Sequence, residues 1–277
     1  KDYSRFNNLK ITNSSETGVN FATDVYVIGN LYNTESVLTN SSRIILTGNF
    51  ADNAWDHDIW LNENRTLNSD IEIGGTLYLN GGTLDLNGYT LNVDGNVYIS
   101  AYSNTTYLKL NKGKMYVNGN LNLHDKNGNY SYGYLVMTNT EDYICVNGNF
   151  TVYSYYAYST YTAGTLEIKG NFVQKYYQYG KQDNFAPSGN HKVILSGDSK
   201  QTVSFANAVS RFNILEVKNY SEEGVVFLTP PQMTELIDNG CNITFPNGER
   251  AGWTLEGDET FEGDLYLARG TNSVLIA

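Results

Sequence analysis

The 277-residue chain carries 29 Asp+Glu against 18 Lys+Arg, a net charge of −11, and only 17% of its residues are charged while 40% are apolar. An acidic chain with no basic stripe repels phosphate, which argues against nucleic acids and anionic membranes as partners. Its polarity comes from 36 Asn, 26 Gly and 23 Tyr, with 4 Pro, and so many aromatics beside so little charge exclude a disordered chain.

The opening residues, Lys1 to Arg5, lack the apolar stretch of a signal peptide, and no run of eighteen apolar residues follows, so no membrane insertion is expected. Val25-Tyr26-Val27-Ile28-Gly29-Asn30-Leu31 then sets a phrase: apolar residues at alternate positions, a Gly-Asn pair and a further apolar residue. The phrase returns at Ile44 to Phe50, Leu91 to Val97, Met115 to Leu121, Ile144 to Phe150 and Leu166 to Phe172, with weaker forms at Leu77, Leu84 and Val193. Alternation at period two predicts a short strand with one buried face. Corners are expected at Gly29, Gly48, Gly95, Gly119, Gly148 and Gly170 with Asn30, Asn49, Asn96, Asn120, Asn149 and Asn171, since both residue types tolerate positive φ.

Between the second and third strong copies lies Asp52-Asn53-Ala54-Trp55-Asp56-His57-Asp58-Ile59-Trp60, with Glu63 nearby. Asp52, Asp56 and Asp58 beside Trp55 and Trp60 are a candidate Ca²⁺ site next to a sugar-stacking platform; the plainer alternative is a loop outside the coil with solvated carboxylates. No cofactor is otherwise expected. His57, His124 and His191 fall in separate coils and are expected as lone surface histidines.

Farther on, 16 of the 23 Tyr lie between Tyr98 and Tyr179. The clusters Tyr130-Tyr132-Tyr134, Tyr153-Tyr155-Tyr156-Tyr158 with Tyr161, and Tyr176-Tyr177-Tyr179 sit between strong phrases. Stacked coils would turn them into a ligand-binding aromatic face for polysaccharide or host glycan, or into a ladder that braces neighbouring coils. Helical signals are nearly absent: only Phe205 to Val217 and Gln232 to Asp238 could hold a helical turn, and neither has a sustained apolar stripe. By phrase parity Cys145 should point outward and Cys241 inward, about 19 Å apart at the strand spacing and beyond disulfide reach.

The phrase glycines and Gly197 are separated by 19, 47, 24, 29, 22 and 27 residues, averaging 24 when the 47 is taken as two units. That is too short for a propeller blade, and a sandwich does not repeat one phrase six times. A single-domain right-handed parallel β-solenoid over residues 1–277 is therefore expected, with about 11 coils of roughly 24 residues. Equivalent residues then stack about 4.8 Å apart, so Asn at the corners forms ladders and like charges are disfavoured outside.

A longer repeat overlies this one. Ser4 to Phe21 matches Ser210 to Phe227 at 11 of 18 positions with an offset of 206, and Thr66 to Thr83 matches Thr254 to Thr271 at 9 of 18 with an offset of 188. The chain begins in repeat material and stops at Ser273 to Ala277 in mid-phrase. Uncapped ends are expected, stacking on further copies of the chain or on flanking repeats.

The string Ala163 to Gln174, followed by Gly189 to Asp198, Gln201 to Phe205, Phe212 to Val217 and Ile237 to Gly240, resembles the repeats of large cell-surface proteins of Gram-positive anaerobes, over most of residues 70–275. The resemblance implies a secreted or wall-attached, adhesin-like or fibre-forming array. An enzyme is disfavoured, because the hydrolase, zinc-protease, P-loop and dinucleotide motifs are missing, as are the Asn-Thr-Asp, Gly-His-Gly and Arg-Ile-Lys strings of polysaccharide hydrolases on parallel β-helices. An ice-binding solenoid is disfavoured for want of a regular Thr-x-Thr ladder.

Overall fold

The structure, a computed structural model, describes residues 5–28, 31–33, 44–46, 54–55, 58–101, 105–156, 159–207 and 209–246. Among these the elements are 28 strands of two to five residues, and every pairing between them is parallel. They stack as a β-solenoid. A twelve-stranded sheet runs from Arg5–Phe6 to Ile243–Thr244, a nine-stranded sheet from Ala54–Trp55 to Glu235–Ile237, and a five-stranded sheet from Arg65–Thr66 to Thr160–Tyr161. One coil visits the faces in turn, as in Val97–Ile99, Thr106–Lys109 and Lys114–Val117 before Leu121–Leu123 opens the next.

Period-two alternation translates directly into burial. In Leu77–Leu79, Val97–Ile99, Phe150–Val152 and Phe172–Gln174 the first and third side chains are buried and the middle one faces outward. The inward residues form columns, with Leu77 over Ile59, Val97 over Leu77, Leu121 over Val97, Phe150 over Leu121 and Phe172 over Phe150. Past Thr160–Tyr161 the five-stranded face ends. There Phe185 and Phe212 fill the space, and with Phe150, Phe172 and Phe205 they build a ring-packed core in which Phe172 lies 4.9 to 5.7 Å from each of the other four.

Neither of the two stretches with room for a helical turn, near Phe205 and near Gln232, forms one among the described residues. Gln201–Phe205, Ile214–Val217 and Glu235–Ile237 are strands, because each lies in register on the rung before it and inter-rung pairing overrides local propensity. The phrase copies are also not all equivalent. Leu91, Met115, Ile144 and Leu166 begin or lie in nine-stranded-face strands, whereas Val25–Val27 and Ile44–Leu46 sit in the twelve-stranded face. Alternation alone fits any face; the spacing to the next strand decides which.

The corners differ in cause from the expectation. Gly95, Gly119, Gly148 and Gly170 are not among the positive-φ glycines, and Asn96, Asn120, Asn149 and Asn171 are not among the positive-φ residues. Glycine is required instead by close approach: each N–H donates to the glycine carbonyl of the preceding rung at 3.0 to 3.1 Å, and a Cβ on Gly148 would lie 2.6 Å from the Gly119 oxygen. Each Asn supplies a ladder, but to backbone rather than to another amide. Asn96 Oδ1 accepts the Asn120 N–H at 2.8 Å, Asn120 that of Asn149, Asn149 that of Asn171 and Asn171 that of Thr202, each at 2.7 Å. Gly29, Gly48, Asn30 and Asn49 lie outside the described residues. Gly148→Ala is expected to destabilise the fold by about 2–4 kcal/mol, because the obstruction is backbone and cannot swing aside; urea unfolding measures it.

The longer repeat has a structural counterpart. Asn13 Oδ1 accepts the Ser15 N–H at 2.8 Å, Gly18 N–H donates to Ser15 at 3.0 Å, and Gly18 has φ 64°. At the matching positions Asn219 Oδ1 accepts the Ser221 N–H at 3.0 Å, Gly224 N–H donates to Ser221 at 3.1 Å, and Gly224 has φ 57°. The same turn is thus built twice on one stack. Thr254 to Thr271 and both chain ends lie outside the described residues.

Candidate functional site

Three outer features carry the candidate residues. The first is the Asp52 to Trp60 region. Asp52, Asp56 and His57 lie outside the described residues, and of Trp55 the backbone alone is described, in a strand paired with Glu72 and Ile73. The alternative of a loop outside the coil is corrected at Trp60, which belongs to strand Ile59–Leu61 of the twelve-stranded face. Its outward indole stacks on Tyr78 at 4.4 Å and 10°, Tyr78 stacks on Tyr98 at 5.3 Å and 6°, and His124 meets Tyr98 edge-on. Rings stacked this way cover one another's facing sides, so Trp60 braces the rungs through the face it turns to Tyr78. Asp58 is used in the corner ladder, its Oδ1 accepting the Thr76 N–H at 2.7 Å. Among the described residues no three His, Cys, Asp or Glu are grouped as metal ligands.

The second feature is the corner between the twelve- and five-stranded faces. Here Tyr130, Tyr132, Tyr153, Tyr155, Tyr156, Tyr177 and Tyr179 from successive coils form one contiguous aromatic cluster. Tyr130 stacks on Tyr177 at 4.2 Å, Tyr155 lies 5.4 Å from both Tyr130 and Tyr132, and Tyr156 meets Tyr155 at 4.6 Å and 76°. Tyr179, the outermost, is 72% exposed and abuts Tyr177 at 5.5 Å. Tilted and edge-on pairings leave parts of ring faces open, unlike the Trp60 stack. Desolvation among the rings, then charge coupling between them, pushes the Tyr132 and Tyr177 phenols up. Tyr176 is half-buried, and Tyr158 lies outside the described residues.

Tyr161 is a correction. It shares inward parity with Ala163, lies over Met137 and is buried against Phe185 at 4.9 Å. His191 is another: the imidazole expected at the surface is fully buried, 5.3 Å from Tyr161, with neither ring nitrogen hydrogen-bonded. Burial lowers its pKa to about 3.

The third feature is the outer side of the nine-stranded face. Cys145 stacks between Tyr116 and Glu167 as parity predicts, yet it is only 8% exposed. Two larger neighbours, Tyr143 and Glu167, close over it: Tyr143 Oη donates to Glu167 Oε2 at 2.5 Å, and Ser196 Oγ holds the same carboxylate by donating to Oε1 at 2.6 Å. Burial, and then the Glu167 charge, pushes the thiol up, so Cys145 is a protonated, covered thiol. Cys241 is inward and buried, as expected. Lower on this face Glu72, Asn92, Asp94, Tyr116 and Asn118 line a depression of about 350 Å³. Sequence reasoning missed it, because these residues lie within or beside phrase copies whose regularity reads as purely structural.

Comparison with protein-family models, curated proteins and solved structures finds no match. The chemistry of these three surfaces is the remaining guide to function.

Proposed function

We propose that the chain is a non-catalytic structural and adhesive module of an extracellular, cell-surface β-solenoid array, whose partners are further copies of itself end to end or flanking repeats of the same chain. One observation carries this reading: the Asn-Ser-Gly turn at Asn13 to Gly18 recurs at Asn219 to Gly224 on one continuous stack. A chain that returns to its own rung chemistry after 206 residues can be followed by another copy in the same register, and repeat stability is a sum of nearest-neighbour terms. The outer surfaces support the reading, since Trp60, Asp58 and the corner asparagines are spent on inter-rung ladders. An antibody raised against the purified chain should label intact producing cells; label appearing only after permeabilisation would sink the surface assignment.

A second reading, glycan binding, is favoured by the tyrosine corner, where partly open rings with polar tips are suited to flat sugar faces. Retention on insoluble polysaccharide that falls in a Tyr130→Ala/Tyr177→Ala variant supports it, and no retention on any polysaccharide removes it.

A further inference from the structure

The depression on the nine-stranded face is built from three successive rungs. Glu72 pairs with Asn92 and Asn92 with Tyr116 in the outward column, while Asp94 and Asn118 flank them at the following corners. Two rung steps give it a run of about 10 Å along the solenoid axis. Its depth comes from side-chain size, since the short Asn92 lies between the longer Glu72 and Tyr116. The far side of the Tyr116 ring is met by Tyr143 at 5.8 Å; the side toward Asn92 opens on the depression, and Tyr116 is 39% exposed. One rim is fixed, with Asn118 Nδ2 donating to Asp94 Oδ1 at 2.7 Å and Asn147 Nδ2 donating to Asn118 Oδ1 at 2.8 Å.

An exposed tyrosine ring, amide groups on a held rim and a volume within the range of ligand sites are the parts of a carbohydrate subsite. The charge decides the class of sugar. Among the described residues Glu72 and Asp94 are the charged residues of the lining, no Lys or Arg joins them, and Lys114 lies two residues upstream of Tyr116 outside the lining. Carboxylates repel uronic acids and attract ammonium groups.

We propose that this depression is a subsite for a polysaccharide of amine-bearing sugars laid along the solenoid axis, with Tyr116 as the stacking platform, Asn92 and Asn118 as hydroxyl partners, and Glu72 and Asp94 as the ammonium-selecting groups. It rests on the glycan-binding reading but moves the site from the tyrosine corner to another face.

Isothermal titration calorimetry with a glucosamine hexamer, cellohexaose and a galacturonate hexamer tests it. The glucosamine hexamer should bind, cellohexaose several-fold more weakly and the galacturonate hexamer not measurably. Tyr116→Ala, at a surface position, should weaken the glucosamine hexamer about tenfold, whereas Tyr130→Ala/Tyr177→Ala should leave it unchanged. Glu72→Gln/Asp94→Asn should bring the glucosamine hexamer down to the cellohexaose level, which separates the subsite from general attraction to an acidic protein. Absence of glucosamine-hexamer binding, or binding indifferent to Tyr116→Ala, overturns the assignment. If the hexamer is lost only in the corner variant, or if insoluble polysaccharide is retained while no hexamer binds, the subsite falls and the glycan reading stands; if neither hexamer nor insoluble polysaccharide binds, both fall.

Discussion

Phe172→Ala is expected to cost about 3–5 kcal/mol, the range for deleting a large ring from a core that cannot collapse onto the space. Phe172 is fully buried, and its ring touches Phe150, Phe185, Phe205 and Phe212, which belong to four other chain segments. Three of these are held by parallel strands or their pairing, so backbone hydrogen bonds resist collapse around the cavity. Tyr179→Ala, 72% exposed at the tip of the tyrosine corner, should cost less than about 0.5 kcal/mol. Urea midpoints of the two variants decide it; similar losses for both would mean that the ring-packed core does not hold the middle coils together.

The second large effect is acid sensitivity through His191. Its folded-state pKa is lowered to about 3 from 6.5 by burial against Tyr161 and Phe185, so the unfolded chain binds the proton that the folded chain refuses. This contribution to stability is complete above pH 6.5 and is lost as pH falls from 6.5 toward 3, at about 1.4 kcal/mol per pH unit. Between pH 7 and 5 the loss attributable to His191 is about 2 kcal/mol. His191→Leu should remove that part of the slope and should not destabilise the protein at pH 7, because it also removes two ring nitrogens without partners. Unfolding free energies at pH 7, 6 and 5 for both proteins measure the difference; parallel curves would show that His191 is solvated in the native state.

Much of the fold is legible in the sequence because one signal, alternation at period two, sets both strand and buried face. Val97–Ile99 and Leu166–Ile168 illustrate it, with buried residues at the positions the phrase marks as apolar. The same signal was present for Tyr161, in parity with Ala163, and for His191, in parity with Val193 and Leu195, but residue type argued for the surface and parity prevailed. Cys145 is different. Its outward parity is right, and its burial comes from Tyr143 on its own strand and from Glu167 on the next rung, 22 residues on, whose carboxylate Ser196 holds from the rung after that. Unequal steps hide such neighbours from the sequence. The corners show a third case, where the residue types were found and their cause was not: Gly148 answers to the carbonyl of Gly119 and not to its own φ. The depression around Asn92 was invisible for a related reason, since a pocket made by one short side chain between two long ones exists only once the register is known.

Negative-stain microscopy of the purified chain across a concentration series tests the central claim most directly. Rungs that recur in kind after 206 residues should let copies join in line, giving narrow rods that lengthen into filaments as concentration rises. Particles of one fixed size at every concentration would contradict a self-stacking array.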